Sequence, residues 1–209
     1  RLSYLYRSLI PCGIYSGKSR SLFILLLFMN IEIVSGSTRE DSITLRVALF
    51  LLRHLAEKFP QHNIGLIDLR KHDFPSINKV YPTAAHAPEI LQSVAGRMLD
   101  AHAFIMVTPE YNGTFSPALA NLFDHFPKQS HKTFGIVTAS EGQLGGIRAA
   151  LALQHFALAL YGIPSPQMLL VGNLTTTFDT EGNLLSAKFQ NNIDNFVAEF
   201  MWLSEKIHG

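Results

Sequence analysis

Residues 103–124 read Ala103-Phe104-Ile105-Met106-Val107-Thr108-Pro109-Glu110-Tyr111-Asn112-Gly113-Thr114-Phe115-Ser116-Pro117-Ala118-Leu119-Ala120-Asn121-Leu122-Phe123-Asp124. The first five residues are all apolar, which suits a strand covered on both faces. Thr108-Pro109 ends the run, because proline has no N–H to give to a central ladder. A polar loop follows, with an acid, an aromatic ring, an amide and a glycine in succession. Pro117 then opens an amphipathic segment, at a helix position where its missing N–H costs nothing. Strand, polar loop and helix in this order is one half of a βαβ unit. The C-terminal ends of such strands are where α/β folds place ligands. The same pattern also suits an ordinary βα connection.

Outward from this stretch the pattern repeats. Ile31, Ile33 and Val34 form a first strand, and residues 43–55 have helical periodicity, with Leu45, Leu49, Leu52 and Ala56 on one stripe and Asp41 or Ser42 as N-cap. A second strand covers 63–69, a proline-punctuated connection 70–85, and a second helix 88–100. After the third strand and helix come a fourth strand at 132–139, a glycine-rich loop at 140–146 and a long apolar helix at 147–161. A fifth strand at 167–171, a polar loop at 173–184 with a turn at Glu181-Gly182-Asn183, and a helix at 187–207 complete the chain. Strict alternation predicts a parallel sheet covered on both faces. Five strands favour an α/β, flavodoxin-like three-layer sandwich with a five-stranded parallel sheet in order 2-1-3-4-5. An eight-stranded barrel needs more chain than 209 residues supply.

Residues 1–28 differ from the rest. They hold Arg1, Arg7, Lys18 and Arg20 and no acid, and without them 13 Lys and Arg face 16 Asp and Glu, a formal charge of −3. The body therefore gives no compositional case for nucleic-acid binding. The apolar run Leu22–Phe28 is shorter than the roughly 20 residues that span a membrane and lacks a small-residue cleavage site after it. Met29 is expected to be the biological start, with residues 1–28 an extension of upstream sequence translated in error, outside the fold, and 29–209 one domain. A secretion or anchoring segment is the competing reading. The single cysteine, Cys12, lies in the extension, so the body has neither a thiolate metal site nor a cysteine nucleophile. The nine histidines show no metal-ligand spacing, and no G-x-S-x-G elbow is present.

In the order 2-1-3-4-5 the winding reverses between strands one and three, so the loops after them flank a crevice. These loops are Ser35–Ser42 and Thr108–Ser116, with Ser140–Gly146 beside them. The first gathers Ser37, Thr38, Ser42 and Thr44 hydroxyls and the Arg39 guanidinium at a helix start, where an anion is favoured. The same composition suits a helix-capping turn, and Glu40 and Asp41 count against an anion. Neither G-x-G-x-x-G nor G-x-x-x-x-G-K-[ST] occurs.

Taken together, G-S-T-R-x-x-S (Gly36–Ser42), P-E-Y-N-G (Pro109–Gly113) with P-A-L-x-N-x-x-D (Pro117–Asp124), and S-x-G-x-x-G-G-x-R (Ser140–Arg148) closely resemble the NADPH-dependent FMN reductase family. The resemblance runs from about Met29 to the C-terminus. It implies that Ser37, Arg39, Ser42 and Thr44 hold the FMN phosphate. Pro109, Glu110, Tyr111 and Asn112 border the ribityl chain and isoalloxazine, and Ser140 and Gly142 approach the other side of the ring. Four positions depart from the family: Thr44 stands where Asn is usual, His125 where an aromatic follows the Asp, and Glu40 and Asp41 where basic or small residues are common. The resemblance further implies an NAD(P)H oxidoreductase with FMN as cofactor and NADPH or NADH as co-substrate. It passes two electrons by ping-pong hydride transfer through flavin N5 to a small-molecule oxidant: a quinone, azo dye, chromate or free flavin. No catalytic side chain is required. A cytoplasmic homodimer or homotetramer, without membrane or nucleic acid, is expected. A flavodoxin-type electron carrier and a non-catalytic FMN-binding relative are the alternatives.

Overall fold

The computed structural model describes residues 28–208. The expected extension falls outside them except for Phe28. The elements are β1 (Asn30–Ser35), α1 (Thr44–Lys58), β2 (Asn63–Asp68), α2 (Gln92–Asp100), β3 (Ala103–Thr108), α3 (Pro117–Asp124), β4 (Thr133–Ala139), α4 (Ile147–Ala159), β5 (Ile163–Pro164), β6 (Leu169–Val171), α5 (Leu174–Thr177) and α6 (Gln190–His208). The sheet runs β2-β1-β3-β4-β5, with β6 also on β4, and every pairing is parallel.

All six residues of β3 and all seven of β4 are buried, in keeping with strands that are apolar except for Thr108, Thr133 and Thr138. Alternate side chains enter two cores. Val34, Phe104, Met106, Phe134 and Ile136 face α2, α3 and α4. Ile33, Ile105, Val107 and Val137 face α1 and α6. Phe104, Phe123 and Phe134 pack edge-on and stacked in the first core, with centroids 5.2–5.9 Å apart. Truncating one such ring to alanine costs about 3–5 kcal/mol. Phe123 and Phe126 are thus core residues, while Phe115 is half-buried against Phe156.

Four local expectations are corrected. The buried face of α1 is Thr44, Val47, Ala48, Leu51 and Leu55, and the stripe through Leu45, Leu49, Leu52 and Ala56 lies to its side. Apolar residues nearly encircle this helix, so periodicity alone could not choose the face. The residue at its N-cap is Ile43, with no side-chain bond, rather than Asp41 or Ser42. The fifth sheet position is filled by two pieces: β5 pairs with Thr133 and Phe134, and β6 with Val137–Ala139. The polar loop at 173–184 contains the short helix α5.

The connection after β2 is pinned by a buried histidine. The His125 ring stacks on Tyr81 at 5.0 Å and 3°, and its nitrogens lie 3.0 Å from the Pro75 carbonyl and 3.3 Å from that of Lys79. Among the described residues no helix is long and apolar enough to cross a membrane.

Candidate functional site

The crevice lies where β1 and β3 part in direction of winding, and hydrogen bonds join the loops that flank it. Gly36 donates its N–H to the Val107 carbonyl at 2.8 Å. The Ser116 hydroxyl donates to the Gly36 carbonyl and accepts the Leu119 N–H, so one side chain caps α3 and ties it to the first loop. A Cβ on Gly36 would lie 3.2 Å from both Leu119 Cβ and the Val107 oxygen. That close approach explains the glycine.

The first loop is held from below by Arg70. Its guanidinium donates to both carboxylate oxygens of buried Asp68, with Nη2–Oδ2 at 2.6 Å, and through Nη1 to the Glu40 carbonyl at 3.1 Å. Burial pushes the Asp68 carboxyl up, but the Arg70 hydrogen bonds and charge outweigh it and hold it below the usual carboxylate range. The pair leaves the rest of the loop facing the crevice.

Two adjoining cavities fill that crevice. The smaller, ≈ 290 Å³, is lined by Ser37, Arg39, Ser42, Thr44, Pro109, Glu110, Tyr111 and Ser140 among others. The larger, ≈ 690 Å³, is lined by Glu110, Ser140, Gly142 and the first turn of α4. Glu110 and Ser140 belong to both and form the divide. The structure thus brings together nine of the ten residues marked from the sequence. Asn112 lines neither cavity; it takes a φ of 51° at the tip of a turn closed by the Tyr111–Thr114 pairing.

In the smaller cavity Ser37 and Thr44 are buried, and the Ser42 and Thr44 hydroxyls lie 3.0 Å apart. The N–H groups of Ile43, Thr44 and Leu45 meet no acceptor among the described residues, and the first turn of α1 holds no acid. Hydroxyls, free helix N–H groups and a guanidinium around one space are the donor set for a phosphate. The Arg39 guanidinium lies over the Tyr111 ring, 4.7 Å from its centroid. Asp41 lines this cavity and Glu40 does not; both are exposed.

In the larger cavity the loop after β4 contributes Ser140, Gly142 and Gly146 together with the side chains of Gln143 and Leu144. Thr138 donates to the Gly145 carbonyl at 2.7 Å. A Cβ on Gly172 would collide with the Gln143 carbonyl, so the loop rests directly on the strand end beside it. Glu141 accepts from the Thr175 N–H and hydroxyl at 3.2 and 2.9 Å, bracing the loop from outside.

Two contributors were not marked from the sequence. Ser116 acts across 80 residues, on Gly36. Arg148 places Nη2 2.5 Å from Glu110 Oε1. Arg148 is the last residue of the S-x-G-x-x-G-G-x-R motif, which was the one signal for it.

Comparison with known proteins is consistent with this geometry. Residues 29–176 match the family model described as NADPH-dependent FMN reductase. The chain is 28% identical over 163 residues to a quinone reductase of Pseudomonas putida, covering 74% of this chain and 84% of that protein. It is 28% identical over 167 residues to an NADPH:quinone oxidoreductase of Arabidopsis thaliana, covering 75% and 82%. Among solved structures, the flavoenzyme NAD(P)H:(acceptor) oxidoreductase FerB of Paracoccus denitrificans superposes with a TM-score of 0.70 at 22% identity, covering 86% of this chain and 98% of FerB. A cysteine-to-serine mutant of a flavodoxin of Pseudomonas aeruginosa gives 0.53 at 15% identity, covering 85% and 99%. These two likenesses bear on the fold.

Proposed function

The chain belongs to the NADPH-dependent FMN reductase family, whose members use FMN with NAD(P)H as co-substrate, and from that premise we propose that it reduces quinones by a ping-pong sequence in this crevice. One observation carries the reading: two cavities, one with a phosphate donor set and one lined by the glycine-rich loop after β4, meet at Glu110 and Ser140. FMN fits with its phosphate in the smaller cavity and its ring reaching into the larger. FMN held there would supply two-electron chemistry between NAD(P)H and the quinone, a hydride equivalent coming from the nicotinamide and one further proton from solvent to complete the hydroquinone.

The chain's residues bind and orient. Ser37, Arg39, Ser42 and Thr44 hold the phosphate by hydrogen bonds and charge. Pro109, Glu110 and Tyr111 wall the ribityl chain and ring, and Ser140 and Gly142 lie opposite. Asn112 serves the turn that carries Tyr111. Backbone N–H groups of the 140–146 loop supply fixed dipoles toward the ring edge where negative charge develops, so no side-chain acid or base is needed. Quinones head the acceptors because relatives bear that activity in their names. Azo dyes, chromate and free flavin suit the same open cavity.

Residues 29–209 form the working domain in this reading, and the enzyme is a cytoplasmic homodimer or homotetramer. Leu144, Leu151 and Leu158, at 74%, 50% and 58% exposure, run from the larger cavity along α4 and support a subunit contact there. Reconstitution tests the cofactor assignment: titrated FMN is expected to lose its fluorescence at one equivalent per chain. FMN that stays free at micromolar protein would contradict it.

A further inference from the structure

On the reading just given, we propose that Arg148 grips a phosphate of the nicotinamide dinucleotide, and that Glu110 holds the guanidinium ready for it. Arg148 is the one basic residue among those lining the larger cavity, as Arg39 is in the smaller. Each cavity thus has its own guanidinium, and the divide between them is Glu110.

The geometry is that of a pre-set anion receptor. Arg148 Nη2 is 2.5 Å from Glu110 Oε1, yet the Arg148 side chain is 73% exposed while that of Glu110 is 14% exposed. One nitrogen of the fork is held at the cavity wall, and most of the side chain is left open to solvent at a position that lines the cavity. The position a Cβ would take on Gly113 is 4.0 Å from Arg148 Cδ, so the stem lies along the Tyr111–Thr114 turn. Anchoring by Glu110 and this turn reduces the rotamer freedom that a phosphate would otherwise have to remove. Arg148 also sits in the first turn of α4, capped by Gly146 without a side-chain bond and free of acids, so the helix end adds potential of the same sign.

A purely structural role fits less well. An ion pair with so exposed a partner contributes little to stability. The lining also carries no second cation to bind the phosphates of a dinucleotide whose nicotinamide is on the flavin face.

Calorimetric titration of the oxidised, FMN-loaded protein with NADP+ and NAD+ tests the proposal without turnover. In Arg148→Gln the NADP+ dissociation constant is expected to rise roughly tenfold or more, the loss of one charge-assisted contact, and to lose most of its salt dependence. Arg148→Lys should recover part of it, and FMN affinity should stay within twofold. A rise for NADP+ alone identifies the 2′-phosphate, and equal rises for both nucleotides identify the shared pyrophosphate. Unchanged nucleotide binding in Arg148→Gln, or an equal loss of FMN affinity, overturns the proposal. Wild-type protein that takes up no FMN overturns the underlying reading instead, and is seen before any variant is made.

Discussion

The guanidinium carbon of Arg39 sits 4.7 Å from the centroid of the Tyr111 ring, so the loop after β1 closes onto the loop after β3 across the crevice. The contact joins residues from the phosphate end and the ring end of the proposed FMN site. It also fixes where the Arg39 charge points. Arg39→Ala is expected to weaken FMN roughly ten- to a hundredfold, the range of a charge-assisted contact, with a smaller loss in Arg39→Lys. Fluorescence titration of both variants measures this, and unchanged affinity in Arg39→Ala would remove Arg39 from the phosphate site.

Gly36→Ala should cost stability rather than chemistry alone. The new methyl would sit 3.2 Å from Leu119 Cβ and the Val107 oxygen and 3.3 Å from Ser116 Oγ. Overpacking of this kind costs about 1–3 kcal/mol, and urea unfolding of the variant reads it directly. A midpoint equal to that of wild type would mean that the two loops are free to separate.

Gly172→Ala tests the support of the ring-side loop from outside the site. Its methyl meets the Gln143 carbonyl, which is backbone and can move only with the loop. FMN binding should weaken although no residue lining either cavity has changed. An affinity within twofold of wild type would show that the loop does not depend on this seat.

Acid should destabilise the fold through its histidines. Burial pushes His54, His62 and His208 below the ordinary 6.5; Asp194 and Glu57 at the first, Glu205 at the second and a hydrogen bond to the His102 backbone at the third restore only part of it. As pH falls through 6.5 the unfolded chain takes up protons at these sites while the folded chain does not, so stability falls with pH in that window. Urea midpoints at pH 7.5 and 5.5 should differ in that direction. His54→Phe, which keeps the ring stacked on Phe50 at 5.2 Å, should narrow the difference.

Much of this was readable in the chain. β3 and β4 are short and mostly apolar, and their place in a strict alternation with helices marked them as covered parallel strands and gave the sheet order. The three loops were legible because each follows a buried strand with a cluster of glycines or polar side chains before the next helix. The face of α1 was not, since leucines point to nearly all sides and β1 and β3 select among them. The edge strand's division into β5 and β6 also escaped, because Ser165, Pro166 and Gln167 interrupt the pairing only in three dimensions. Nothing local marked the reach of Ser116 to Gly36, and Arg148 had only its place at the end of the S-x-G-x-x-G-G-x-R motif: each acts through a partner brought close by the sheet, Gly36 for one and Glu110 for the other.

A crevice of this kind should pass two electrons from a nicotinamide to a quinone. The most direct test is the visible spectrum of the purified, FMN-loaded protein, taken anaerobically before and after NADPH or NADH and again after a quinone. The yellow colour should bleach with one equivalent of nicotinamide and return in full with one equivalent of quinone. A yellow protein that stays oxidised in the presence of both nicotinamides would contradict the account.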